Sequence, residues 1–221
     1  MECSPENSRQ IWNKIWKHTP SQFRGSNAIE TLYRKAIYFS AFDSLLKGYS
    51  LEDKKILELG SGTGNNSLYL SKKHGSKSVA LVDFSEQALK KVRAQKFLCT
   101  LTMIHQDLFL FEPTQLYGFA HSAGLIEHFV GSKRDIVVQK HADCVLPGGL
   151  VMIWVPVRSL IFSLIGTFNR LIGIEEMPLT EHELKTLCAK AGLKILREDH
   201  AALGALYGVL AQKQNYPVVE K

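Results

Sequence analysis

The chain has 221 residues and a net charge of +6 at neutral pH, with 45% hydrophobic and 22% charged residues. That suits one α/β domain with an extension and excludes a disordered or collagen-like chain. The 27 Lys and Arg residues are scattered without a dense basic block, which makes nucleic acid a disfavoured partner.

Cys3, Cys99, Cys144 and Cys188 stand far apart with no CxxC or Cys/His pairing. Inert thiols in a reducing, cytoplasmic setting are therefore expected, and no metal. Met1 to Gln10 is polar and lacks the apolar core of a signal peptide.

Ile11, Trp12, Ile15 and Trp16 fall on one helical face, Lys14 and Lys17 lie off it, and Thr19-Pro20 ends the pattern. A second helical pattern runs from Ile29 through Leu32, Tyr33, Ala36 and Ile37 towards Leu45 and stops at Gly48. Residues 1–50 thus read as a helical extension, either capping a pocket mouth or packing on a sheet.

The rest, 51–221, reads as the main domain, in which short apolar runs alternate with amphipathic segments. Strands are expected at Ile56–Leu59, Ser78–Val82, Leu101–His105, Gly118–Ala123 and Leu150–Val155. Helices are expected at Asn65–His74, Ser85–Phe97 and about Lys133 to Val145, with Pro147-Gly148-Gly149 breaking the chain before the fifth strand. A helix over Glu181–Ala191 starts at the capping signal Thr180-Glu181-His182-Glu183 and stops at Gly192. Two closing strands, Leu193–Arg197 and Ala205–Ala211, are joined so briefly that they imply an antiparallel end. The pattern predicts an α/β fold with a doubly wound, mostly parallel sheet.

The most apolar stretch, Leu150 to Ile174, is interrupted by Pro156, Arg158, Asn169 and Arg170. A membrane span needs about 20 largely uninterrupted apolar residues, so none is expected. Within 158–174, Ser159, Ser163, Gly166, Thr167 and Arg170 form one narrow helical stripe on an otherwise apolar helix. Such a helix is core, a substrate lid, or a peripheral membrane contact.

The informative stretch is Ile56-Leu57-Glu58-Leu59-Gly60-Ser61-Gly62-Thr63-Gly64-Asn65-Asn66-Ser67, a strand, a glycine turn and a helix start. A dinucleotide fingerprint would place its third glycine at position 65, which is Asn65, and no Gly-Lys-Ser/Thr follows for a P-loop. The turn holds no cation and follows Glu58, a poor neighbour for a pyrophosphate. A phosphate-free nucleoside is the expected ligand. Asp83, about twenty residues further on, stands where a carboxylate accepts hydrogen bonds from ribose hydroxyls. Asp107, in His105-Gln106-Asp107-Leu108, stands where it can meet an adenine amino group.

Glu58–Gly64, Val82–Leu89, Gln106-Asp107 and Leu146–Gly149 together resemble the ordered motifs of class I S-adenosyl-L-methionine-dependent methyltransferases. The resemblance spans roughly residues 50–213. It implies a Rossmann-like seven-stranded sheet with the last strand inserted antiparallel, and S-adenosyl-L-methionine as cofactor. By position, it implies that Gly60, Ser61, Gly62 and Gly64 admit the methionine and ribose, and that Glu58 holds the ammonium. Asp83 would bind the ribose and Phe84 the adenine face, with Gln106, Asp107 and Leu108 around the base. Ser122, Ala123 and Gly124 would line the transfer channel.

Departures from the family pattern are Gly118, where relatives often carry an acid, and the lack of an Asn/Asp-Pro-Pro-Tyr/Phe motif or a Pro-Cys pair. Those absences disfavour amino-group methylation of nucleobases or glutamine, and cytosine C5 methylation. His121, Glu127 and His128 are the catalytic candidates, because an imidazole titrates near neutral pH. The expected acceptor is a small, partly apolar molecule walled by the Trp12/Trp16 helix and an insertion at about 157–178. The rival readings are methylation of RNA or protein, and a catalytically silent binding module.

Overall fold

A computed structural model of the chain describes residues 5–18, 38–159, 162 and 176–215. Seven strands form one sheet: β1 (Lys55–Leu59), β2 (Ser78–Asp83), β3 (Thr100–His105), β4 (Tyr117–Ala123), β5 (Val145–Pro156), β6 (Leu193–Ala201) and β7 (Leu206–Lys213). Their order is β3-β2-β1-β4-β5-β7-β6. The first five are parallel, and β7 runs antiparallel to both β5 and β6. From β1 the chain winds first towards β2 and β3, then returns to the other side at β4. That reversal opens a crevice beyond the carboxyl ends of β1 and β4, where ligands bind in such sheets.

The helices are α1 (Pro5–His18), α2 (Ser40–Leu46), α3 (Asn65–His74), α4 (Glu86–Val92), α5 (Ser132–Cys144) and α6 (Glu181–Lys190). Strand side chains alternate between faces, so each strand feeds two cores. Leu57, Ala120, Val151 and Ile153 pack with Val137 and Val138 of α5 and Leu184 and Leu187 of α6. Ile56, Phe119, Met152 and Trp154 pack with Phe42 of α2, Leu70 of α3 and Leu89 and Val92 of α4. Fully burying one such aliphatic or aromatic side chain contributes about 1.5–3 kcal/mol.

Several boundaries differ from the sequence expectation. The expected helix to Phe97 stops at Val92, because Gln95 is recruited elsewhere. Its Nε2 donates to Thr63 O and Asn65 Oδ1, both at 2.8 Å, tying the chain to the glycine turn. β5 begins at Val145 rather than Leu150, and Pro147-Gly148-Gly149 lies inside it as a bulge. Tyr117 pairs with Val145, whereas Phe119 already pairs with Leu150. The last two strands run longer, to Ala201 and Lys213, joined by a short turn at Ala202–Gly204.

α2 packs on the sheet. Arg197 of β6 donates through Nη1 to Ser44 O, Leu45 O and Lys47 O at 3.1, 2.9 and 2.6 Å, closing the carboxyl end of that helix. The earlier part of that helical pattern, 29–37, and the striped segment over 163–174 lie outside the described residues. Among the described residues no helix is long and apolar enough to cross a membrane.

Candidate active site

The glycine turn connects β1 to α3 with Gly60, Gly62 and Gly64 all in the left-handed region, at φ 64, 52 and 69°. A Cβ on Gly62 would stand 2.8 Å from the Trp16 ring, so glycine lets the indole of α1 lie directly on the turn. A Cβ on Gly64 would stand 2.6 Å from Leu81 Cδ1, so glycine also lets α3 start hard against β2. Ser61 donates its amide to Val82 O at 3.0 Å, while its buried Oγ has no partner among the described residues.

Asp83 closes the turn from the side. Its Oδ2 accepts from Gly62 N and its Oδ1 from Ser85 N, each at 2.7 Å. Burial raises its pKa above the usual carboxylate value, opposed by those two amides and by His105. A carboxylate offers about four acceptor positions, so two remain. The Asp83 carbonyl accepts from Gln106 N at 3.1 Å, joining the ends of β2 and β3. Gln106 Nε2 donates to Leu110 O at 3.0 Å, and Asp107 Oδ1 accepts from Phe109 N at 2.8 Å. Of the two apolar candidates around the base, Leu108 is built into a core and half-buried Phe84 belongs to neither core.

Glu58 lies beneath the turn and is 1% exposed. Asn66 Nδ2 donates to its Oε1 at 3.1 Å and Ser67 N to its Oε2 at 3.3 Å, both from the positive end of α3. Burial still pushes its pKa up to about 7; the Ser67 and Asn66 hydrogen bonds oppose that, and the Asp83 charge adds to it. His121, wholly buried, places Nε2 2.9 Å from Ser67 Oγ and 4.0 Å from Glu58 Oε2. Burial first, then the neighbouring His141, pulls its pKa down to about 3. The 4.0 Å approach is therefore made by a neutral imidazole and is no ion pair.

The next residue of β4 faces the other way. Ser122 Oγ lies 2.9 Å from His141 Nε2, and His141 Nδ1 lies 2.8 Å from Val137 O. A carbonyl only accepts, so Nδ1 carries the proton and Ser122 donates to Nε2. Ser122 is thereby committed to α5. Gly124 donates its amide to Trp154 O at 3.1 Å, and half-buried Ala123 packs against the α2 and α3 side of the sheet. At Gly118, where an acid was expected in relatives, an added Cβ would meet the Lys54 stem at 3.2 Å.

Beyond β4 the short helical turn Ile126–His128 carries the remaining candidates. Glu127 is 2% exposed, and its Oε1 lies 3.4 Å from where a Cβ on Gly124 would stand. Burial raises its pKa to about 8, reinforced by Glu176 and opposed by its own backbone and by Arg134. His128 meets the Trp12 ring edge-on at 5.0 Å, and Ser85 Oγ donates to Asn13 Oδ1 at 2.6 Å. α1 thus reaches from the start of α4, over Gly62, to the turn after β4. Its period marked it as a helix, but nothing local in the sequence marked where it docks. Sequence reasoning also missed Asn66, Ser67 and Glu176; only the first two lay beside a recognised motif.

The family profile described as "Methyltransferase domain" matches residues 32–198. The chain belongs to this methyltransferase family. No curated protein matches its sequence. Its fold is similar to that of N-methyltransferase NodS from Bradyrhizobium japonicum WM9 in complex with S-adenosylhomocysteine: TM-score 0.69, 12% identity, 95% of this chain and 100% of that one. It is also similar to 1,6-didemethyltoxoflavin-N1-methyltransferase from Burkholderia thailandensis: TM-score 0.70, 14% identity, covering 96% and 92%. Magnesium protoporphyrin IX methyltransferase from Synechocystis PCC 6803 matches with TM-score 0.65 and 14% identity over 93% of both chains.

This methyltransferase uses S-adenosylmethionine as its methyl donor, and the residues present fit that group. Ser61 Oγ in the turn has no partner among the described residues, Asp83 keeps acceptor capacity, and half-buried Phe84 belongs to neither core.

Proposed function

We propose that this methyltransferase acts on a small, partly apolar acceptor, with the acceptor site between α1 and the turn after β4. The observation that carries this reading is the contact of Trp12 with His128, which brings α1 across the mouth of the crevice. A roofed crevice with an aromatic wall suits a small molecule better than a macromolecule. Two structurally similar proteins are named for small-molecule substrates, 1,6-didemethyltoxoflavin and magnesium protoporphyrin IX.

The donor supplies an electrophilic methyl group on its sulfonium. This chain's own task is then to bind, align and exclude water, and alignment alone can be worth about 7–11 kcal/mol of the barrier. In this reading Asp83 accepts from the ribose hydroxyls while keeping Gly62 and Ser85 in place. Glu58 faces the ammonium, and Phe84 lies against the adenine with Gln106 and Asp107 at its edge. Gly60, Ser61, Gly62 and Gly64 hold the turn in the backbone conformation that turns its main chain towards the methionine portion, with Ala123 and Gly124 beside it. Leu108 and Ser122 support these residues from behind. We assign His121 to positioning Ser67 and Glu58, since a buried imidazole with so low a pKa is a poor base. Glu127 and His128 belong to the acceptor side.

The test is incubation of the protein with isotopically labelled donor and a cell extract, followed by mass identification of the labelled product. Label in a low-molecular-mass compound supports the proposal. Label confined to RNA or protein overturns it, as would a steeply salt-dependent affinity for RNA.

A further inference from the structure

We propose that Glu127, His128 and Glu176 form a binding site for one divalent first-row transition cation at the acceptor side of the crevice. One imidazole and two carboxylates bring their ligand atoms within 4.8 Å of one another. Metal–ligand bonds of about 2.0–2.2 Å would draw neighbouring ligand atoms to about 3 Å apart, a displacement that side-chain rotation supplies.

A second observation points to the same occupant. Glu127 is 2% exposed, and its Oε2 is fully enclosed with no hydrogen-bond partner among the described residues. Burying a carboxylate oxygen without a hydrogen bond is costly, and a cation beside it offsets that cost. Arg134, the guanidinium on this side among the described residues, is committed elsewhere. It donates through Nε to Phe129 O at 2.7 Å, and through its other nitrogens to Met177 O and to the Glu183 carboxylate.

Those same bonds build the site without using its ligands. Met177 N donates to Glu127 O at 2.9 Å, so Glu176 is held beside the β4 turn although 49 residues separate it from Glu127 in sequence. Arg134 ties Phe129 and Met177 together from behind. The cluster is therefore held by main-chain anchors.

The donor set selects the ion class. Carboxylates alone suit Mg²⁺ or Ca²⁺, whereas a mixed imidazole and carboxylate set suits Mn²⁺, Fe²⁺ or Zn²⁺. Three protein ligands leave coordination positions open, as in catalytic rather than structural sites. Glu127 Oε1 lies 3.4 Å from where a Cβ on Gly124 would stand, so the cluster sits at the end of β4, and on the small-acceptor reading the open positions point to the acceptor. They would take an oxygen of the acceptor, a hydroxyl or a carboxylate, and orient it. Assigning them to an acceptor oxygen rests on the small-acceptor reading above; cation binding does not.

The experiment is titration of the chelator-treated full chain with Mn²⁺, followed by electron paramagnetic resonance and calorimetry, with Zn²⁺ and Mg²⁺ as comparison ions. Wild type is expected to bind one Mn²⁺ per chain, with at least tenfold weaker binding in Glu127→Gln and in Glu176→Gln, and weaker binding of Mg²⁺. Glu176→Gln guards against misfolding of the more buried Glu127 variant, and binding of S-adenosylhomocysteine reports that each variant is folded. No saturable binding to wild type, or unchanged affinity in folded Glu176→Gln, overturns the site. Mn²⁺ bound to wild type alongside label found only in a macromolecule would leave the site standing and remove the small-acceptor reading.

Discussion

At the residue scale, two buried carboxylates make opposite use of similar surroundings. Asp83 spends one lone pair of each oxygen on a backbone amide and keeps the rest. Hydrogen bonds to a charged group are worth about 1.5–3 kcal/mol each. Asp83→Asn should therefore weaken S-adenosylhomocysteine binding by roughly ten- to a hundredfold in calorimetry, and an unchanged affinity would remove Asp83 from the site. Glu58 instead has its pKa pushed up to about 7 by burial. Between about 4.5 and 7 the folded state then binds the proton more readily than the unfolded state. The Glu58 contribution to stability is accordingly greatest at low pH, falls as pH rises through that window, and is level above it. Urea unfolding at several pH values should show this fall in the difference between wild type and Glu58→Gln, in which the contributions of Glu127 and His121 cancel.

At the element scale, what the sequence disclosed follows from how local each signal is. The core of each strand was readable because Ile56–Leu59 or Ser78–Val82 are apolar whatever they pair with. The glycine turn was readable because left-handed backbone demands glycine at Gly62 and Gly64. Asp83 could be placed because it ends a strand at a familiar distance from that turn. The end of α4 was not readable, since it is set by Gln95 reaching back to Thr63 and Asn65, a contact between segments about thirty residues apart. Ser122 could not be separated from the channel without knowing that His141 lies behind it. The approach of Glu176 to Glu127 has no sequence signal, because Glu176 is an ordinary polar position until Met177 binds the β4 turn. Two element-level contacts can be tested directly. Arg197 closes α2 with three carbonyl contacts and lies over the Tyr49 ring. Arg197→Met should cost about 1–3 kcal/mol in denaturant unfolding. Trp154 lies flat against Gly208 of β7, where an added Cβ would come within 2.3 Å of the indole. Gly208→Ala should cost about 1–3 kcal/mol by overpacking, visible as a lower midpoint with an unchanged denaturant slope.

At the scale of the whole molecule, ligand binding and stability are coupled by mass action. S-adenosylhomocysteine at a hundred times its dissociation constant should add about 2.7 kcal/mol. For a protein of this size that corresponds to a rise in Tm of about 5–10 °C, readable by scanning calorimetry. Asp83→Asn, binding ten- to a hundredfold more weakly, should cut that stabilisation to about 0.4–1.4 kcal/mol at the same ligand concentration.

The placement of β7 has a consequence for synthesis. β7 follows β6 in the chain but lies inside it in the sheet, bonded to β5 on one side and β6 on the other. A nascent chain that has reached only Ala201 therefore holds β6 with no strand to pair with, and exposes the edge of β5 from Leu150 to Pro156. Those residues are Leu, Val, Met, Ile and Trp, followed by Val and Pro, an adhesive row of unpaired amides. A ribosome that stalls before Leu206 thus releases an open, sticky sheet, whereas one that passes Lys213 releases a closed one. Chaperone demand should accordingly peak while β7 is being made, and chains truncated before Leu206 should accumulate as aggregates in a pulse-labelled translation extract.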